Sequence, residues 1–319
     1  MDNLLYQTLL DEIRKLFPKR SMMVNTLAEI LRIEKGAVYR RIRQDVPFTF
    51  NEIAVIARHL NISLDGLVGI ENERSVLFQF QFIDFITPKE QDFYFMNASN
   101  KFLQTVFESN NSERASTFNV LPLDLFYGFS NLLKFYIFVW NYHTFYLKSK
   151  HFQQVIIHPE MSKLMDNYMM EMKNFSKTFF VFDNGLFRFF VDRVYYFNSI
   201  RLLEKDDVSK IKEDLHSMLD YMEKMAISGQ YKETGNAVNI YISDIDITTG
   251  YTYYETKTMR ISMIKAFIMS YVSTFDENTF VKMKHWINAL IKISTLITLT
   301  NEKQRVLYFE KQRKIVDEL

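Results

Sequence analysis

Apolar positions recur at helical spacing through the first sixty residues. Leu5, Leu9, Ile13 and Leu16 sit three or four apart and Pro18 closes the run, so residues 2–17 predict one amphipathic helix. Val24, Leu27, Ala28 and Leu31 repeat the pattern behind Ser21, a candidate N-cap, and predict a second, short helix ending near Arg32. A third is expected over residues 34–43, with Val38 and Ile42 one turn apart as its buried pair, and Pro47 stops it. Thr49 followed by Glu52 has the spacing of a capping box, and Ile53, Ile56, Ala57 and Leu60 supply the apolar stripe of a fourth helix. Ser63-Leu64-Asp65 opens a last helical turn.

The polar stretch Glu71-Asn72-Glu73-Arg74-Ser75 lacks periodicity and reads as a linker between a domain of residues 1–70 and a second of residues 76–319. Phe78, Phe80 and Phe82 then alternate with glutamines as in a strand, Thr87-Pro88 with Glu90 marks a helix start, and residues 115–120 fit another strand. Helical spacing returns over 130–147, 160–174, 185–203 and 207–227, the last stopped by Gly229. Residues 238–247 and 251–258 flank Thr248-Thr249-Gly250 as a β-hairpin would, and 276–299 and 301–316 are again helical. The expected fold class is mainly α: an N-terminal helix-turn-helix bundle, then a larger, mostly helical domain with a small antiparallel sheet.

Composition narrows the classes. Apolar residues at 48% against charged residues at 24% describe a folded chain, and 30 Phe and 18 Tyr against 8 Gly and 5 Pro favour helices over a turn-rich β design. No cysteine is present, which removes disulfides, thiol catalysis and Cys-containing zinc patterns. Met1-Asp2-Asn3 has no positive n-region, and Lys134, Asn141 and His143 interrupt the most apolar stretch, so a cytoplasmic chain without signal peptide or membrane span is expected. His59, His143, His151, His158, His216 and His285 form no HExxH or i, i+4 pair, and the glycines form no phosphate loop, so no metal, cofactor or catalytic residue is assigned. Asp244 and Asp246 would share one side of a strand, which a solvated face explains. The aromatic series Phe126, Tyr127, Phe129, Phe135, Tyr136, Phe138, Trp140, Tyr142, Phe145 and Tyr146 fits core packing, with the wall of a pocket for a small apolar effector as the other reading.

A net charge of +1 means that any affinity for a polyanion must come from local clustering. Between residues 19 and 43 stand Lys19, Arg20, Arg32, Lys35, Arg40, Arg41 and Arg43 against Glu29 and Glu34, while the rest of the chain is nearly neutral to acidic. On a helical wheel Val38 and Ile42 lie about 40° apart, Lys35, Gly36, Tyr39, Arg40 and Arg43 are expected to be exposed, and Arg41 falls on the flank. Long donors on an exposed helix face are what major-groove readout needs: Lys35, Arg40 and Arg43 reach base edges, Tyr39 meets a thymine methyl or a phosphate, Gly36 permits close approach, and Arg41 meets phosphate. Lys19, Arg20 and Arg32 complete the candidate DNA-binding set.

Through LAEIL, AVYRRIR, TFNEIAVIARHL and NISLDGL this region resembles the Cro/C1-type, or λ-repressor-like, helix-turn-helix family, closest to its BetR-like variant. LLKFYIFVW, Ser294-Thr295-Leu296-Ile297 and Glu302-Lys303-Gln304-Arg305 are similar to helix-turn-helix regulators of Bacteroidetes-type bacteria. The resemblance implies a transcriptional regulator that reads a double-stranded DNA operator, as a homodimer held by the larger domain. It departs from the family at Arg32, where glycine is frequent in the turn, so a left-handed residue other than glycine is expected there. A second class fits the same residues: a protein–protein interaction scaffold whose helix-turn-helix no longer reads DNA. Salt-dependent binding to duplex DNA separates the two.

Overall fold

Leu9, Leu10 and Ile13, Met23, Val24 and Leu27, Val38 and Ile42, and Phe48 and Ile56 meet in one buried cluster, so the stripes read from the first sixty residues do face a common core. They belong to α1 (Asp2–Lys15), α2 (Arg20–Leu31), α3 (Lys35–Ile42) and α4 (Phe50–Leu60), with Phe48 just ahead of α4. The computed structural model describes residues 2–17, 19–60, 62, 64, 76–80, 82–107, 111–144 and 151–319; the linker expected at 71–75, and Ser63 and Asp65 of the last predicted turn, lie outside them. The chain divides into two units, Met1–Leu77 and Phe78–Leu319.

Two expectations in the first unit change. Leu5 and Leu16 stand at the ends of the α1 stripe and stay exposed. Ser21 is not the N-cap of α2: the carbonyl of Lys19 already accepts from the amides of Met22 and Met23, so the helix starts two residues earlier and Ser21 lies inside its first turn.

In the second unit the expected small antiparallel sheet is instead a mixed sheet of eight strands. Its members are β1 (Gln79–Phe80), β2 (Glu113–Phe118), β3 (Lys177–Phe182), β4 (Ala237–Ile242), β5 (Tyr251–Glu255), β6 (Arg260–Lys265), β7 (Tyr271–Thr274) and β8 (Thr295–Leu296), in the order β1-β7-β6-β5-β2-β3-β4-β8. β2, β3 and β4 are parallel, and every other pairing is antiparallel. Parallel neighbours need crossovers. The chain passes from β2 to β3 through α6 (Ser130–Thr144) and α7 (Pro159–Glu171), and from β3 to β4 through α8 (Arg188–Ser199) and α9 (Lys205–Ser228). α5 (Glu90–Phe107) precedes β2, and α10 (Glu277–Ile293) and α11 (Glu302–Asp317) flank β8. The described residues are therefore mainly α, and the second unit is built on a mixed sheet.

The predicted hairpin around Thr248-Thr249-Gly250 does not form. β4 pairs with β3 and β8, whereas β5 pairs with β2 and β6, so the two segments belong to strands that are not neighbours. A Cβ on Gly250 would come within 3.2 Å of the Thr117 carbonyl oxygen and of the Lys265 Cβ, so the glycine serves a close approach to those strands. Asp244 and Asp246 follow β4 as exposed loop residues and share no strand face.

One sheet face carries Phe118, Phe180, Phe182, Val238 and Ile240 into the main core, and the other packs Ala115 and Tyr253 against Phe280, Met283 and Ile287 of α10. α6 is buried on nearly every side. Its Phe135 lies 5.1 Å from Phe190 and its Phe138 4.9 Å from Phe197, ring centre to ring centre, so these aromatics fill the unit's own core. Phe145 and Tyr146 lie outside the described residues.

Into this core β2 carries a buried cation. Arg114 donates from Nη1 to Asp124 Oδ2 at 2.7 Å, with both side chains buried, and its guanidinium lies over the Phe180 ring. Burial opposes the charge, but the facing Asp124 carboxylate outweighs it and holds the Arg114 pKa above its ordinary value. Asp124→Ala leaves an uncompensated charge in the core and should cost about 3–5 kcal/mol, whereas the double replacement Arg114→Met with Asp124→Leu should recover most of that loss. Urea unfolding of the three proteins measures both.

Candidate functional site

α2 and α3 meet through a tight turn at Arg32, whose φ of 53° places it in the left-handed region. The Arg32 amide donates to the Glu29 carbonyl at 3.2 Å and the Ile33 amide to that of Ala28 at 3.1 Å, which closes α2 and redirects the chain into α3. The expectation drawn from the missing glycine therefore holds: an arginine carries the left-handed residue, at a cost of about 1 kcal/mol.

α3 is two-faced. Val38 and Ile42 are buried, Gly36, Tyr39, Arg40 and Arg43 are exposed around the rest of the helix, and Lys35 is exposed in the first turn, about 60° around the axis from Val38; Lys19, Arg20 and Arg32 are exposed as well. Lys19, Arg20, Arg32, Lys35 and Arg40 have no carboxylate partner among the described residues. The Arg20 guanidinium lies 5.8 Å from the centre of the Tyr39 ring, which brings the start of α2 beside the middle of α3. Arg43 makes an exposed ion pair with Asp45 at 3.0 Å. Nothing lies within 4 Å of where a Cβ on Gly36 would project, so packing does not require that glycine.

Arg41 departs from its sequence assignment. Its Nε donates to Glu52 Oε2 at 3.0 Å and its Nη2 to Glu52 Oε1 at 2.6 Å, a bidentate pair only about one-sixth exposed, and its guanidinium also lies over Phe48. A guanidinium held this way locks α3 to α4 and is spent on structure. Glu52 also closes the capping box, accepting from the Thr49 amide at 2.8 Å while Thr49 Oγ1 accepts from the Glu52 amide at 3.3 Å. Tyr6 adds a third tie: its hydroxyl donates to the Arg41 carbonyl and accepts from the Phe48 amide, each at 3.0 Å. Three positioning residues were thus missed by the sequence reading, Tyr6, Asp45 and Glu52. Only the Thr49/Glu52 spacing marked one of them, and for its capping role alone.

The arrangement is a short helix anchored to α4 and presenting exposed cations, an aromatic ring and a glycine, with only Arg43 among those cations in an ion pair among the described residues. Such a surface suits a polyanion with groove-shaped relief. Among the described residues no group of His, Asp or Glu is placed to hold a metal ion, and no helix is long and apolar enough to cross a membrane. Comparison with protein families, with curated proteins and with solved structures finds no match to the chain.

Burial raises the Glu52 carboxyl, but the hydrogen bonds from Arg41 and Thr49 outweigh it and hold its pKa below the ordinary value. A depressed folded-state value means stability that is complete above the unfolded value, near about 4.3, and is lost as pH falls through the lower folded value. Glu52→Gln should destabilise α2–α4 by about 1–2 kcal/mol at neutral pH and flatten their acid sensitivity between about pH 5 and pH 3. Amide hydrogen exchange of α2–α4 in the full chain, followed against pH, checks both.

Proposed function

We propose that the chain is a sequence-specific transcriptional regulator of the Cro/C1 helix-turn-helix type that binds a double-stranded DNA operator. α3 lies in the major groove and Lys35, Arg40 and Arg43 meet base edges. The observation that carries the reading is the division of labour on α3: apolar residues and Arg41 are committed to the fold, and Lys35, Arg40 and Arg43 are exposed. A merely solvated helix face has no need to keep its acids away, and α3 itself contains none. Lys19 and Arg20 at the start of α2 flank the same surface and meet phosphates.

Gly36 supports the reading independently. Glycine in a helix is unfavourable relative to alanine, no neighbour demands it, and its smooth surface allows the backbone of α3 to approach the duplex. The unit from Phe78 onward supplies the homodimer contact in this reading. Phe135 and Phe138, two of the rings that suggested a small apolar effector, pack on Phe190 and Phe197 in the core, so the proposal rests on DNA reading and dimerisation alone.

Binding to duplexes selected from a random library tests the assignment. Arg40→Ala and Arg43→Ala should each weaken the selected site by about 1–3 kcal/mol and relax preference at one position. Wild type and double mutant with equal affinities and equal preferences would refute base reading by α3 and favour the scaffold alternative. Gly36→Ala separates function from fold most sharply. It should stabilise α3 by about 0.5 kcal/mol and at the same time weaken operator binding, a pair of opposite changes that a structural role would not produce.

A further inference from the structure

The strand β1 lies at the edge of the eight-stranded sheet and pairs with β7, and among the described residues its other side has no strand neighbour. It belongs to the run Val76-Leu77-Phe78-Gln79-Phe80-Gln81-Phe82, which contains no charge and no proline. Val76, Leu77, Phe78, Phe80 and Phe82 are each at least 36% exposed. Phe267, from the turn between β6 and β7, joins them: its ring lies 5.3 Å from Phe80 and 5.4 Å from Phe82, and is itself half exposed. Exposed edge strands are ordinarily blunted by shortness, lysine, proline or a covering element, because an open row of amides and carbonyls recruits another strand; β1 is short, at two residues. None of the protective residue types occurs in this run.

We propose that β1 and the phenylalanines around it are the contact through which two copies of this chain associate, edge to edge and antiparallel, so that the two sheets continue across a two-fold axis. The open backbone edge specifies an extended strand as its occupant, since only that spacing of donors and acceptors matches it. An antiparallel pair of identical strands is self-complementary about a two-fold axis, so one uncharged surface serves both sides without repulsion. The phenylalanines of the two copies then cover each other. The choice of a second copy over a foreign strand rests on the DNA-reading proposal, in which paired half-sites require two readers; β1 begins only two residues beyond the end of the first unit.

The native chain has no cysteine, so single cysteines report this contact cleanly. Full-length protein carrying Leu77→Cys, Phe78→Cys or Gln79→Cys is oxidised at micromolar concentration without DNA, beside Tyr195→Cys at an exposed position of α8 as control. At least one of the three should give a disulfide-linked dimer, because residues near the axis face their own copies about 5 Å apart, and the control should not. In parallel, sedimentation should show a wild-type dimer and at least about tenfold weaker association for Phe80→Glu and Gln79→Lys, with unchanged thermal unfolding of the sheet. A monomeric wild type would overturn the proposal and point to intramolecular cover of the patch. A dimer that crosslinks at none of the three positions and is indifferent to both charges would overturn it in favour of another face. Because no DNA is present, a β1 dimer that fails to bind duplex removes the regulator reading and leaves the interface standing.

Discussion

Glu52 accepts both nitrogens of the Arg41 fork and, from the other direction, the amide of Thr49, so a single carboxylate fixes the roll of α3 and the start of α4. The consequence reaches the surface. With Arg41 held inward and Val38 and Ile42 in the core, the angular position of Lys35, Tyr39, Arg40 and Arg43 is no longer free. A helix of eight residues has little intrinsic stability, so its orientation must come from such contacts. Tyr6 bridges the Arg41 carbonyl and the Phe48 amide, which extends the same constraint to α1.

The second unit solves a different problem. Its parallel strands are covered by helices on one face and by α10 on the other, and the aromatic helix α6 supplies bulk to the larger core. The Arg114–Asp124 pair is a polar feature of that core that adds little net stability but penalises any arrangement leaving either partner alone. The unit thus has the substance of an independent scaffold, with the uncharged β1 at one edge of its sheet.

Much of the first unit was legible in the sequence, and the reasons are local. Helical spacing, the Thr49/Glu52 box and the two-sided wheel of α3 depend on residues within a few positions of each other. The fate of Arg41 was not legible, because its partner lies on another helix and a wheel shows only that it sits on a flank. In the larger unit, β3 escaped notice: Thr178-Phe179-Phe180-Val181-Phe182 is apolar on both faces, and a continuous apolar run has no period by which to separate strand from buried helix. β4 and β5 were recognised as extended but joined wrongly, since adjacency and a glycine turn suggest a hairpin where the sheet inserts β2 and β3 between them. Strand order is a property of non-local pairing and left no mark in either segment.

The central claim is that the outward cations of α2 and α3 meet the backbone and bases of duplex DNA, and counterion release measures that contact directly. Affinity of the full-length protein for a library-selected duplex, titrated with monovalent salt, should fall steeply, by about a thousandfold or more between 50 and 200 mM if a dimer engages six or more phosphates. Binding that is absent at low salt, or present but indifferent to salt across that range, would contradict it.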